Sequence, residues 1–176
     1  MRLHYRLYQP ADFTALYAVE ELCFDAPFRF SRALMRKLIA NPNSATWIAE
    51  TMAAEKGIAK ENTAVENSEL TGFAIVDWAT VPKGTVAYIQ TIEVNPASRR
   101  QGIASELLRL SEVSALVVGA TAIWLHVDVE NTAAMRLYEG RGYARKGREE
   151  HFYARNRAAF IYAKALAVAP EAKLPS

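Results

Sequence analysis

The sequence predicts an α+β domain on a mixed, mostly antiparallel central sheet of about seven strands flanked by about four helices. Three observations lead there. Apolar runs joined by turn signals read as antiparallel hairpins: Leu70 to Thr80 and Thr85 to Val94 meet at Val81-Pro82-Lys83-Gly84, while Tyr143 to Tyr153 and Ala158 to Leu166 meet around Arg155-Asn156-Arg157. A helix-like run from Ile103 follows Val94 and leads to another strand, and such a crossover requires a parallel neighbour. With 176 residues, 51% of them hydrophobic, the chain is long enough for one domain with a real core. A single domain is expected over 1–166, with 167–176 as a frayed tail.

Taken in order, Leu3 to Tyr8 alternates as a short strand. Pro10-Ala11-Asp12 then opens a helix to about Leu22, with Phe13, Leu16, Tyr17 and Glu20 at helical spacing. The stretch Cys23 to Phe30 is too aromatic for a solvated linker, so its rings are expected to cover something. Ser31 caps a second helix carrying Leu34, Leu38 and Ile39, stopped by Asn41-Pro42, and Thr46 to Thr51 reads as a strand. Met52 to Ser68 is polar and weakly periodic; at roughly 17 residues it exceeds the usual connection of about 4 to 6, and fits either a hairpin loop or an insertion. Beyond the first hairpin, Ile103, Leu107, Leu110 and Val117 give one apolar helix face up to Gly119, and Ala122 to Val127 is the next strand. Asn131 caps a last helix with Ala134, Met135, Leu137 and Tyr138, ended by Gly140-Arg141-Gly142.

Composition excludes several classes. A formal net charge of +2 with abundant apolar residues argues against disorder and against broad nucleic-acid binding. The start of the chain has no apolar leader core and no run is long enough to cross a bilayer, so a cytoplasmic protein without a membrane partner is expected. Cys23 is the only cysteine, which rules out an internal disulfide, and the histidines His4, His126 and His151 are too scattered to suggest a ligand pair, so no metal is expected. The oligomeric state is not legible.

The stretch Arg99-Arg100-Gln101-Gly102-Ile103-Ala104 carries the first chemical signal. A turn that closes a strand and opens a helix leaves the helix's first N–H groups convergent on one spot, with the positive end of its dipole behind them. That spot suits an anion; Gly102 lets backbone approach a phosphate, and the arginines add charge. Read alone, the stretch fits a phosphate cradle or a solvated basic turn equally. It resembles the R/Q-x-x-G-x-G/A signature of the GCN5-related N-acetyltransferases (GNAT), whose order of strand, two helices, three strands, helix, strand, helix and two strands is also the order read here.

Three stretches carry the resemblance, over roughly Tyr88 to Leu166. Tyr88-Ile89-Gln90-Thr91-Ile92-Glu93-Val94 precedes the cradle; the resemblance implies that the backbone of Ile92, Glu93 and Val94 pairs with the pantetheine arm of acetyl-coenzyme A, an amide there serving as an oxyanion donor, while Arg99, Arg100, Gln101, Gly102, Ile103, Ala104 and Ser105 hold its diphosphate. Leu125 to Tyr138 is similar to the family's L-[EH]-V-x-x-x-N-x-x-A-x-x-[LF]-Y motif, which implies that Asn131 bonds the pantetheine and that Tyr138 protonates the departing thiolate. His126 stands where bacterial ribosomal-protein alanine acetyltransferases usually carry Glu and where several protein N-terminal acetyltransferases carry His. Tyr88-Ile89-Gln90-Thr91-Ile92 resembles the Tyr-Ile-x-Thr-Leu setting of one such subgroup, which implies a base role shared by Tyr88 and His126 through water, since an amine of reference pKa about 7.7 to 8.0 can yield its proton to a neutral imidazole. Finally, His151-Phe152-Tyr153 resembles a Tyr-Tyr pair that binds the substrate's first backbone groups, with Phe152 removing one hydroxyl; Pro27 and Phe28 are candidates for the opposite wall.

The resulting expectation is direct acetyl transfer from acetyl-coenzyme A to a primary amine, foremost the α-amine of a protein or peptide N-terminus. The alternatives are a small-amine acceptor and a non-catalytic acetyl-coenzyme A sensor. Cys23 has no base beside it in sequence, and direct transfer needs no nucleophilic thiol.

Overall fold

The computed structural model describes residues 2–25, 28–52, 68–153 and 157–166. Its elements run β1 (Arg2–Leu7), α1 (Phe13–Cys23), α2 (Arg32–Ile39), β2 (Ser44–Met52), β3 (Ser68–Val81), β4 (Gly84–Val94), α3 (Ile103–Val117), β5 (Ala120–Asp128), α4 (Thr132–Gly140), β6 (Ala144–Tyr153) and β7 (Arg157–Ala165), with single 3-10 turns at Pro10–Asp12 and Pro96–Ser98. The strand order is β1-β2-β3-β4-β5-β7-β6 in a seven-stranded sheet. The expected α+β architecture, with its parallel crossover, is what the chain adopts: β4 and β5 are parallel, whereas β1–β2, β5–β7 and β6–β7 are antiparallel. The long segment after Met52 and the tail from 167 fall outside the described residues.

Two compact units make up the chain, Met1–Ile75 with Thr91–Ser111 and Val76–Gln90 with Glu112–Ser176. In the first, strand alternation sorts the core onto two faces. Ile48, Phe73 and Ile75 pack with Leu16, Tyr17, Val19 and Met35 of the first two helices, while Ala49, Ala74 and Val94 pack with Ile103 and Leu107 of α3. Ser31 caps α2 by accepting from the Leu34 N–H at 3.2 Å. Strands β3 and β4 approach closely at Gly72, where an added Cβ would lie 2.7 Å from the Glu93 carbonyl oxygen, so the position requires glycine.

The second unit is built around β5. Its inner residues Ile123, Leu125 and Val127 are buried together with Ala158, Ala159 and Tyr162 of β7 and Tyr138 of α4. Parallel pairing with β4 runs from Thr85↔Ala120 to Tyr88↔Trp124, and Asn131 accepts from the Ala134 N–H at 3.1 Å, capping α4 as expected.

Candidate functional site

The expected anion cradle lies in the first unit. Asn95 Oδ1 accepts from Ala97 N at 3.0 Å, setting the turn that leads to Arg99. Arg100 and Gly102 then take left-handed conformations, with φ of 65° and 80°, and α3 starts at Ile103. Nothing lies within 4 Å of a Cβ added at Gly102, so the space over this turn is open. Glycine and an open, convergent helix start suit a diphosphate. Arg100 is exposed, whereas Arg99 turns part of its guanidinium back: its Nε donates to the Val94 carbonyl at 3.2 Å. That same carbonyl accepts from the Cys23 thiol at 3.4 Å. Burial pushes the thiol up, which leaves it a poor nucleophile.

Behind the end of β4, Glu93 is buried against Glu20 of α1, and Thr91 donates its hydroxyl to Glu93 at 2.7 Å. Burial first, and then the hydrogen-bonded Glu20 carboxyl, hold Glu93 well above the usual carboxylate range. Glu20 Oε2 and Glu93 Oε2 are both buried without a hydrogen-bond partner among the described residues, a setting that favours a protonated Glu93. Glu20 also accepts from the Phe30 N–H at 2.6 Å, tying the aromatic loop to this pair. Phe28 is half-buried in that loop, while Pro27 lies outside the described residues.

The expected acid–base residues lie in the second unit. Pairing of Tyr88 with Trp124, and the period of two along β5, bring Tyr88, Trp124 and His126 together. The Tyr88 hydroxyl is 3.0 Å from His126 Nδ1, and the Tyr88 and Trp124 rings are 4.6 Å apart. Burial, followed by the charges of Asp77 and Glu149, pushes the Tyr88 hydroxyl up to about 12. Asp77, itself raised by burial, accepts from Gln90 at 2.7 Å. On its other side, His126 Nε2 meets Glu149 Oε2 at 2.9 Å.

Strand β6 departs from a regular ladder between Glu149 and Tyr153, with His151 at φ 59°. Such a bulge re-aims side chains beside functional groups. Phe152 accordingly lies flat on His126, with centroids 3.9 Å apart and planes 11° from parallel, and Tyr153 meets Phe152 edge-on at 4.8 Å. Tyr138 is buried between Tyr143 and Tyr162, at 5.7 and 6.3 Å. Its hydroxyl is raised strongly by burial and then by Tyr88, and Tyr153 is raised by burial and by the same neighbour.

The structure therefore brings together Tyr88, His126, Phe152 and Tyr153, as the sequence suggested, and adds three residues that it did not. Trp124 and Asp77 could have been found from strand alternation around Tyr88 and His126. Glu149 could not, because in Arg148-Glu149-Glu150 only the bulged register decides which side chain turns toward His126.

A model of the Acetyltransferase (GNAT) family matches residues 14–143. Among curated relatives, the GCN5-related N-acetyltransferase 4, chloroplastic, of Arabidopsis thaliana is 38% identical over 58 residues, which are 33% of this chain and 20% of that protein. The chain thus spans about a fifth of that relative's length. N-alpha-acetyltransferase 30 of Schizosaccharomyces pombe is 34% identical over 101 residues, 56% of this chain and 67% of the relative. Among solved structures, Arabidopsis thaliana NAA60 in complex with a bisubstrate analogue matches with a TM-score of 0.78 at 20% identity, covering 96% of this chain and 100% of that one. The ribosomal-protein-S18-alanine N-acetyltransferase from Escherichia coli matches with a TM-score of 0.74 at 21% identity, covering 99% and 100%. At these identities the structural likeness speaks for the fold.

Proposed function

The chain belongs to the GNAT acetyltransferase family, and from that premise we propose that it transfers acetyl from acetyl-coenzyme A directly to the α-amine of a protein or peptide N-terminus. When bound, the coenzyme supplies an activated acetyl thioester. Arg99, Arg100, Gln101, Gly102, Ile103, Ala104 and Ser105 would hold its diphosphate, and Ile92, Glu93, Val94 and Asn131 its pantetheine arm. The open turn at Gly102 supports the first assignment.

The observation that carries the reading is the 3.0 Å contact between Tyr88 Oη and His126 Nδ1. With its hydroxyl pushed up to about 12, Tyr88 stays protonated at neutral pH and cannot accept the ammonium proton unaided. It can accept that proton while donating its own to a neutral imidazole, so the two residues form one base. Tyr138 is assigned the opposite role, protonation of the departing thiolate, and burial keeps its phenol neutral at physiological pH so that it holds a proton. Phe152 and Tyr153, with Phe28 and Pro27 of the aromatic loop, are assigned to acceptor binding. The α-amine is favoured over a side-chain amine because the relative matched over 67% of its length is named an N-alpha-acetyltransferase.

The test is release of coenzyme A with peptides bearing free N-termini, beside the same peptides blocked at the N-terminus but containing lysine. Release with the free set alone is expected. Equal release with the blocked set shifts the acceptor to lysine, and silence on both with coenzyme A still bound shifts it to a small amine or to a sensing role.

A further inference from the structure

His126 is contacted on one face, at its edge and at both ring nitrogens. Phe152 covers one face at 3.9 Å, Tyr88 and Trp124 meet it edge-on at 5.8 and 5.5 Å, and each nitrogen faces one oxygen at hydrogen-bonding distance. Its side chain is 7% exposed, whereas that of Glu149 is 52% exposed. The two oxygens are not equivalent. A hydroxyl can donate or accept, but a carboxylate only accepts. Glu149 therefore requires the proton of a neutral ring to sit on Nε2. Nδ1 is then a lone pair, and the Tyr88 hydroxyl must be its donor.

The adjoining charges leave Glu149 free to serve the ring. Arg148 and Glu150 pair with each other at 2.6 Å, and the bulge ends the regular register at Glu149.

From this geometry we infer that Glu149 is a positioning residue of the site: it fixes the Nε2–H tautomer of His126, aims the Nδ1 lone pair at Tyr88, and compensates the imidazolium formed during proton removal. The inference rests on the reading of Tyr88 and His126 as the base. In the step itself, an ammonium N–H breaks as a new Tyr88 O–H forms, and the original Tyr88 O–H breaks as an Nδ1–H forms. Tyrosine ends as it began, the amine has lost one proton, and histidine has gained it. After the product leaves, the imidazolium returns the proton to water.

The first test needs no substrate. In the full chain labelled with 15N-histidine, the His126 ring shifts should show a protonated Nε2 and an unprotonated Nδ1. Glu149→Ala should convert this to a tautomer mixture, while Glu149→Gln, which retains an acceptor oxygen, should preserve it. In steady-state acetylation of a free-N-terminus peptide, Glu149→Ala should lower kcat about 10- to 100-fold and leave the KM for acetyl-coenzyme A within about twofold. Glu149→Gln should fall between Ala and the native chain. A native spectrum with the proton on Nδ1, or an unchanged kcat in Glu149→Ala, overturns the inference. Failure of the native chain to acetylate any peptide overturns the acceptor assignment instead, and the tautomer spectrum still decides the role of Glu149.

Discussion

Tyr88 and Tyr138 carry the same functional group in different settings, and the roles proposed for them follow that difference. The Tyr88 hydroxyl lies 3.0 Å from the His126 imidazole, whereas Tyr138 is enclosed by Tyr143 and Tyr162. Tyr138→Phe removes the hydroxyl and keeps the ring packing. It should lower kcat about a hundredfold, the lower end of what a positioned acid contributes, with affinity for acetyl-coenzyme A nearly unchanged. Titration calorimetry beside steady-state kinetics checks this, and equal losses in both would contradict the assignment. At this scale the sequence was most informative where a motif fixes spacing, as in Leu125 to Tyr138. It was silent where two strands must be brought into register, which is why Glu149 stays hidden in a charged run that reads as solvated.

Between elements, the Glu20–Glu93 contact joins α1 to the end of β4. The ordinary value of a glutamate is 4.5, and in the folded chain Glu93 lies well above it. Above pH 4.5 the unfolded chain has therefore released a proton that the folded chain still holds. This contribution to stability is complete below about pH 4.5 and declines as pH rises toward the raised folded value. Glu93→Gln cannot ionise and still donates an N–H to Glu20. Melting temperatures should match the native chain near pH 4 and exceed it at about pH 8; a less stable variant at the higher pH would mean that no proton is shared. The order of elements was legible because turns and hydrophobic periods are local. A hairpin's turn does not say which of its strands faces the sheet. The answer lies in composition: β7 buries Ala158, Ala159 and Tyr162, β6 is exposed at nearly every residue, and the apolar strand takes the inner place beside β5.

For the whole molecule, family membership predicts linkage between coenzyme binding and stability. At about a hundredfold excess over its Kd, coenzyme A should add about 2.7 kcal/mol and raise Tm by several degrees. Gly102→Val should suppress most of that rise, because φ of 80° disfavours a side chain and the branched group fills the open space over the turn. Differential scanning fluorimetry with and without coenzyme A reads both effects, and an undiminished shift in the variant would remove the diphosphate from this turn. Trp124 offers a view of the other half of the chemistry. Its indole touches Tyr88 and sits 5.5 Å from His126, and of the chain's 3 tryptophans the others are Trp47 and Trp78. With those two replaced by phenylalanine, the remaining emission comes from within the acid–base cluster, and an imidazolium quenches an adjacent excited indole more strongly than a neutral ring does. Proton uptake by His126, as proposed, should therefore dim that emission, a change readable in a stopped-flow cuvette without any label.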